Sequence, residues 1–352
     1  MSIEEIVRGT RSGVGLFDMS HRGLLEVRGE DRVRWLDGMI SGDVEALEAE
    51  GDGAGCYATL LTNRGAIVAD MHVGRFEDVY LLESLRSEIP RIKETLEKYV
   101  IADDVTLVDR SASQTVLGLE GPEAARVLEE ATSGEAAGLS SEHWMESRID
   151  GRGVLVAAFG FSGETAYQLR IDPADRGAIE AKLSEASGGR LVRGETEALE
   201  VLRVEAGIPA LGAELDEEVL PPEARLERAI STSKGCYVGQ EIVARLRARG
   251  QVNHLLVGFR IEAASSPATG TPLTSGGRAT GELTSVVRSP SRGLIGLGYV
   301  RREHAVSGTT VEFDGGRAHV EDLPFATLRG GTPDGEAQST RERTPDPTNS
   351  AT

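Results

Sequence analysis

The chain has 352 residues, with 38 Lys and Arg against 57 Asp and Glu, a formal net charge of −19. That length holds roughly one to three domains and buries a sizeable core. The charge would repel phosphates, which excludes nucleic-acid binding through a basic surface, and no run approaches the roughly 20 apolar residues of a membrane helix. The opening MSIEEIVRG has no basic stretch leading into an apolar core. It does not read as a secretory signal, and a cytoplasmic location is expected. Lysine occurs only four times (Lys93, Lys98, Lys182, Lys234), the other basic residues being arginine. An acidic, lysine-poor composition suits a halophilic, high-salt cytosol, where screening weakens self-repulsion. A GC-rich genome would give the same bias.

In chain order, Leu24–Arg28 reads as a strand, a turn follows at Gly29, and Val33, Leu36 and Ile40 trace the apolar stripe of a helix. Residues 55–110 read as a compact β–α unit. Its strands are Cys56–Thr62, Ala66–Phe76 and Val79–Glu83, then a helix stripe Ile89, Ile92, Leu96, Tyr99, then a strand Val105–Val108. Thr115–Leu119 is a further strand, and Gly121-Pro122 opens a helix with Pro at the first helical position. Gly153–Phe159 and Ala166–Ile171 form a strand pair, followed by helices over Arg176–Ala186 and Glu195–Glu205. From about His254 short β-rich runs alternate with Gly, Ser and Pro turns, the texture of an antiparallel barrel or sandwich. The last stretch, 329–352, has no large apolar residue and is expected to be a disordered tail.

Two cysteines, Cys56 and Cys236, stand far apart, and the six histidines form no HxH or HxxxH pair. Neither a disulfide framework nor a metal site built from local ligands is expected. Two segments carry candidate chemistry. In the strand Ala66–Val73, Ile67, Ala69, Met71 and Val73 alternate with Val68, Asp70 and His72. An acid and a histidine on one face are either a solvated face or a cavity wall that handles a proton. In Ser233-Lys234-Gly235-Cys236-Tyr237-Val238-Gly239-Gln240-Glu241, two glycines bracket a cysteine and a scarce lysine precedes it. The segment is either a loop around a buried, inert thiol or a loop whose cations, Lys234 and Arg245, favour a thiolate at a cavity mouth.

The run KGCYVGQEIVARLRARGQ resembles the signature of the YgfZ-type folate-binding proteins. Over roughly residues 8–328 the chain is also similar to the glycine-cleavage T-protein, the aminomethyltransferase of that superfamily. VGLFDMSHRGLLEVRGEDRVRWLDGMISGDV resembles its opening, and TNRGAIVADMHV its GG-[IV]-[IV]-DD-L-[IV]-V strand. GLEGPEAARVL resembles its QGP helix start, and GELTSVVRSPSRGLIGLGYV its C-terminal barrel.

The resemblance implies an α+β fold: an aminomethyltransferase-like folate-binding body over 1–250, a ferredoxin-like module inserted at about 50–110, and an antiparallel β-barrel over 254–328. It implies a tetrahydrofolate site, or one for a one-carbon derivative, in a central hole. Asp70 falls on the strand's second, catalytic Asp, while Ala69 replaces the first. Tyr57, Phe161 and Gln168 fall on cofactor-lining positions. Gln168 replaces a pterin-contacting Glu, Phe161 a Tyr, and Leu199 an active-site Arg. A Gln accepts through one oxygen where a Glu accepts through two.

The resemblance to the YgfZ group implies an accessory protein for assembly or repair of iron–sulfur proteins, acting through Cys236 on cluster enzymes or carriers. One cysteine is too few to hold a cluster. The alternative is a transferase that passes a one-carbon unit to tetrahydrofolate with Asp70 handling protons. A scaffold without ligand is the third reading.

Overall fold

The computed structural model describes residues 1–250 and 252–325. Three β-systems organise the molecule. The first sheet runs β11-β1-β7-β10-β9-β8. Its strands are β1 (Gly15–Asp18), β7 (Thr115–Glu120), β8 (Trp144–Ile149), β9 (Arg152–Ala157), β10 (Ala166–Ile171) and β11 (Val192–Gly194). The second runs β3-β4-β5-β2-β6, from β2 (Arg22–Arg28), β3 (Gly55–Leu61), β4 (Ile67–Phe76), β5 (Val79–Leu85) and β6 (Thr106–Asp109). A closed antiparallel barrel follows, in the order β12-β15-β14-β13-β16-β17. It uses β12 (His254–Ala263), β13 (Pro272–Ser275), β14 (Arg278–Ser289), β15 (Gly293–Arg301), β16 (Thr310–Phe313) and β17 (Gly316–Glu321). The fold is therefore the expected mixed α+β body followed by a β-barrel.

Strand alternation decides the layering. On the first sheet Leu117, Leu119, Val156 and Leu169 pack against Val127 and Leu128 of α5 (Ala124–Ala131) and Ile179 and Leu183 of α6 (Arg176–Ala186). On the second, Leu25, Val27, Met71, Val73 and Leu82 pack against Leu36, Val44, Leu47, Ile92 and Leu96, which come from three helices: α2 (Arg32–Met39), α3 (Val44–Glu50) and α4 (Ile89–Glu97). The opposite faces meet each other. Leu24 and Leu81 of one sheet pack on Trp144, Ala157 and Phe159 of the other. Each sheet thus buries both faces, and the space between them is where polar side chains are costly unless partnered. The remaining helices are α1 (Ile3–Ser12), α7 (Thr196–Ala206) and α8 (Gln240–Arg249). One face of α7 joins Phe17 and Met19, while its Val204 packs on Leu256, Ile295 and Leu297 of the barrel.

Several expected boundaries move. The compact unit read over 55–110 takes β2 into its sheet, between β5 and β6, because Leu25 and Val27 are needed to complete its core. The helix after Gly121-Pro122 begins at Ala124, so Pro122 lies in the turn ahead of it and not at its first position. The end of the expected barrel (326–328) and the tail at 329–352 lie outside the described residues.

Candidate functional site between the two sheets

Asp70 and His72 lie on β4, which is buried from Ile67 to Gly74. The strand does not alternate cleanly. Leu60 pairs with Ala69 and Leu61 with Ile67, so Val68 is an extra residue. This bulge sends Val68 into the helix-covered core with Ala69, Met71 and Val73, and Ile67 into a cluster with Tyr57. Asp70 and His72 then face the other sheet, 6% and 4% exposed. They are buried between the sheets, not a solvated face.

The Tyr57 hydroxyl donates to Asp70 Oδ2 at 2.8 Å. Burial, and next the charge of Asp70, push the Tyr57 phenol well above its ordinary pKa, so it remains a donor. Arg228 stands 4.8 Å over the Tyr57 ring. The His72 ring stacks on Phe159, with centroids 3.7 Å apart and planes 5° apart, and meets Phe161 edge-on at 6.5 Å. Its Nδ1 is 2.7 Å from Glu142 Oε2.

Beneath this wall runs a buried ion-pair chain. Arg22 donates two bonds to Glu83, at 2.6 and 2.9 Å, and Arg170 of the first sheet approaches Glu83 at 3.4 Å. Burial works against the Glu83 charge, but the two guanidinium groups hold its carboxyl below the usual range. One carboxylate shared by two cations leaves Arg170 undercompensated, and burial lowers its pKa to about 10. Arg22 also stands 4.8 Å over the Phe161 ring. Gln168 lies on the same face of β10 as Arg170, because Tyr167, Leu169 and Ile171 point into the opposite core. Its side chain is buried, and neither its Oε1 nor its Nε2 finds a partner among the described residues. A buried primary amide with four unused hydrogen-bonding positions is a receptor for a polar guest. At Leu199, where the resemblance implies a departure from Arg, the side chain joins an apolar cluster against which Phe161 packs.

The signature segment borders this wall without lining it. Tyr237 packs against the cluster that contains Tyr57, Ala229 and Ile230. The loop is fastened across the α2–α3 turn: Ser231 N–H donates to Ser41 O, and Val238 N–H to Gly38 O at 3.1 Å. Between those two bonds the Lys234 ammonium turns inward. It donates to the carbonyls of Asp37, Ile40 and Gly42 at 2.5, 3.0 and 2.6 Å and pairs with the Asp37 carboxylate at 3.1 Å.

This corrects the expectation that Lys234 serves the Cys236 thiol. Lys234 is committed to backbone oxygens at the α2 end, where a cation also meets the helix dipole. The thiol its charge acts on is Cys56. Burial pushes Cys56 up to about 12, which disfavours its thiolate. Arg245 pairs with Glu241. Cys236 itself is exposed. Gly239 has a φ of +83°, and a Cβ there would stand 2.5 Å from Thr62 O in the β3–β4 turn. Gly235 has open space around it and needs no special conformation. Gln240 and Glu241 open α8.

Tyr57, Asp70 and Phe161 are thus brought to one region, with Gln168 on the facing sheet. Arg22, Glu83, Glu142, Phe159, Arg170 and Arg228 were not legible as site residues. They come from separate strands and loops, and no local spacing marks them. Among the described residues no group of three or more His, Cys, Asp or Glu could hold a metal ion, and no helix is long and apolar enough to cross a membrane.

Residues 1–234 match the GCVT N-terminal domain, and 255–325 the glycine cleavage T-protein C-terminal barrel domain. The chain is 33% identical over 295 residues to an aminomethyltransferase of Rubrobacter xylanophilus, covering 83% of this chain and 77% of that protein. It is 31% identical to an aminomethyltransferase of Streptomyces avermitilis, covering 85% and 81% of the two. The crystal structure of glycine cleavage system aminomethyltransferase T from Bartonella henselae superposes with a TM-score of 0.83 at 24% identity, over 94% of this chain and 91% of that one, and shares the fold. With both halves matched in order and relatives more than 30% identical along most of their length, the chain belongs to the glycine-cleavage T-protein family.

Proposed function

We propose that the chain binds tetrahydrofolate, or a one-carbon derivative of it, between the two sheets, and that it is a YgfZ-type accessory protein for assembly or repair of iron–sulfur proteins. The folate part is supported by the polar groups left open in the wall. Gln168 offers an amide edge for the pterin, Asp70 accepts at the oxygen not engaged by Tyr57, and the Phe159 and Phe161 rings supply apolar surface. Bound folate would carry the one-carbon unit. The protein's own part is to hold the pterin, keep the Tyr57 hydroxyl donating to Asp70 Oδ2, and exclude water through the packed sheets.

The observation that carries the accessory role is the exposed Cys236, presented between two fastened points of a loop that abuts the Tyr57 wall. An accessible thiol serves as a transient ligand or nucleophile toward a client cluster protein. A second reading, aminomethyl transfer to tetrahydrofolate, is favoured by the Tyr57–Asp70 pair and by the names of the similar proteins.

The test has two arms. Calorimetric titration of tetrahydrofolate into the purified chain should give binding that Gln168→Leu weakens about tenfold, the worth of one or two buried hydrogen bonds. In a deletion strain, activity of an iron–sulfur enzyme should return with the wild-type chain and fail with Cys236→Ser and Cys236→Ala. Full rescue by both variants removes the accessory role. Release of ammonia from an aminomethyl-lipoyl carrier protein in the presence of tetrahydrofolate would establish the second reading instead.

A further inference from the structure

The Phe161 ring meets Arg22 and His72, yet no strand register fixes where it stands. It belongs to the stretch 158–165, which joins β9 to β10 and is neither helix nor strand. Gly160 and Gly163 flank it, and Gly163 has a φ of +74°. Unfastened residues gain conformational entropy by moving, so such a segment keeps a ring in place only where its backbone is held by other parts of the chain.

Two charged side chains hold it, one by its N–H groups and one by a carbonyl. Glu120, the last residue of β7, is buried and accepts the N–H of Phe161 at 3.2 Å and that of Ser162 at 2.6 Å. Gly160 permits this approach, since a Cβ there would stand 2.9 Å from Glu120 Oε1. Arg11, in the last turn of α1, donates from Nη1 to Ser162 O at 2.7 Å and to Glu164 Oε1 at 3.2 Å. The same guanidinium donates from Nε to Glu205 Oε2 at 3.0 Å and from Nη2 to Leu202 O at 3.1 Å, both on α7. Glu205 in turn accepts the hydroxyl of Ser289, at the end of β14, at 2.6 Å. One arginine from outside both sheets thus ties the segment to α7 and, through Glu205, to the barrel. The apolar face of α1 bears on the same place, because Ile6 and Val7 belong to the cluster against which Phe161 packs. A point charge would neutralise the nearby carboxylates, but reaching two carbonyls and two carboxylates at once takes the planar fork of a guanidinium.

We propose that Arg11 is a positioning residue of the folate site: by holding the Ser162 carbonyl from α1, it sets the place of the Phe161 ring against the guest. The inference rests on the folate reading above. The groups that Arg11 bonds belong to Ser162, Glu164, Leu202 and Glu205, none of which is among the residues proposed to hold the pterin. An effect of Arg11 on affinity therefore travels through the segment and depends on the ring that the segment carries.

The experiment is a double-mutant cycle on tetrahydrofolate affinity under anaerobic conditions, with the wild-type chain, Arg11→Lys, Phe161→Leu and the double variant, and with amide hydrogen exchange followed in each. Lysine keeps the positive charge among the buried carboxylates and removes the fork. Should Arg11→Lys fold poorly, Arg11→Gln combined with Glu164→Gln, which removes one charge of each sign, takes its place. Arg11→Lys should weaken binding about three- to tenfold, the worth of a hydrogen bond that holds the ring's backbone. The double variant should bind within about twofold of Phe161→Leu, because a residue that acts through the ring has nothing to act on once the ring is gone. Amides within 158–165 should exchange faster in Arg11→Lys while those of β10 keep their protection. A loss of the same size in both backgrounds, no loss in either, or unchanged exchange at 158–165 overturns the inference and leaves the folate reading standing. Failure of the folded wild type to bind tetrahydrofolate overturns both.

Discussion

Lys234 shows how a motif residue can be committed to holding a loop in place. Its ammonium satisfies three carbonyls and one carboxylate at the α2–α3 turn, with only 2% of its side chain exposed. Burial lowers its pKa, and the Asp37 carboxylate works the other way. Removing one partner from a buried ion pair leaves the other uncompensated, a loss of about 3–5 kcal/mol. Lys234→Met should therefore move the urea midpoint downward by an amount of that order and open the 231–238 loop to proteolysis. Arg at this position would not restore the wild type, because a planar fork does not fit three convergent carbonyls. A mutant as stable as the wild type would show that the cage does not hold the loop. The reading of a buried thiol is overturned, since Cys236 is exposed; the other reading holds for exposure alone, because the nearby cation is spent on backbone.

At the scale of elements, the contact between the signature loop and the β3–β4 turn couples the two segments that carry candidate chemistry. Gly239 and Gly65 both have positive φ, and each approaches the other's backbone. A side chain at Gly239 would meet Thr62 O at 2.5 Å in a left-handed conformation, costing roughly 1–2 kcal/mol from the backbone alone. Gly239→Ala should lower the midpoint of thermal unfolding, whereas Gly235→Ala, with nothing within 4 Å, should leave it unchanged or slightly raised. Equal effects of the two substitutions would show that the turn contact does not stabilise the loop. The strand and helix stripes were largely readable. The helix Arg176–Ala186 and strand Ala166–Ile171 stand where the spacing puts them. The bulge at Val68 was not readable, because one extra residue in a continuous apolar run leaves the pattern of hydrophobicity intact. Strands β1, β8 and β13 also escaped notice, being short or lacking continuous apolar residues.

The whole molecule carries −19. Many surface carboxylates are paired with arginine: Arg176 with Asp18 and Glu180, Arg126 with Glu123, Arg317 with Glu262. Exposed pairs of this kind contribute little individually. The excess negative charge repels itself across a Debye length of about 10 Å at 0.1 M salt and only about 3 Å at 1 M. Raising NaCl from about 0.1 to about 2 M should therefore raise the melting temperature by several degrees, on the order of 2–4 °C for each kcal/mol gained in a domain-sized unit. A melting temperature that stays flat or falls with salt would refute self-repulsion as a limit on stability.

Composition, periodicity and a handful of motifs were enough to determine a mixed α+β body and a β-rich C-terminal region, and to mark two segments with candidate chemistry, because burial patterns and turn residues are local properties of the chain. The site was decided by tertiary structure. Asp70 and His72 had two meanings until a second sheet closed over them. Arg22, Glu83 and Arg170 became one charged chain only when β2, β5 and β10 were brought together. Lys234 could have served the Cys236 thiol or not until the carbonyls at the α2–α3 turn claimed it. Electrostatic partnership depends on distance in space and on dielectric surroundings, and neither is a function of position along the chain.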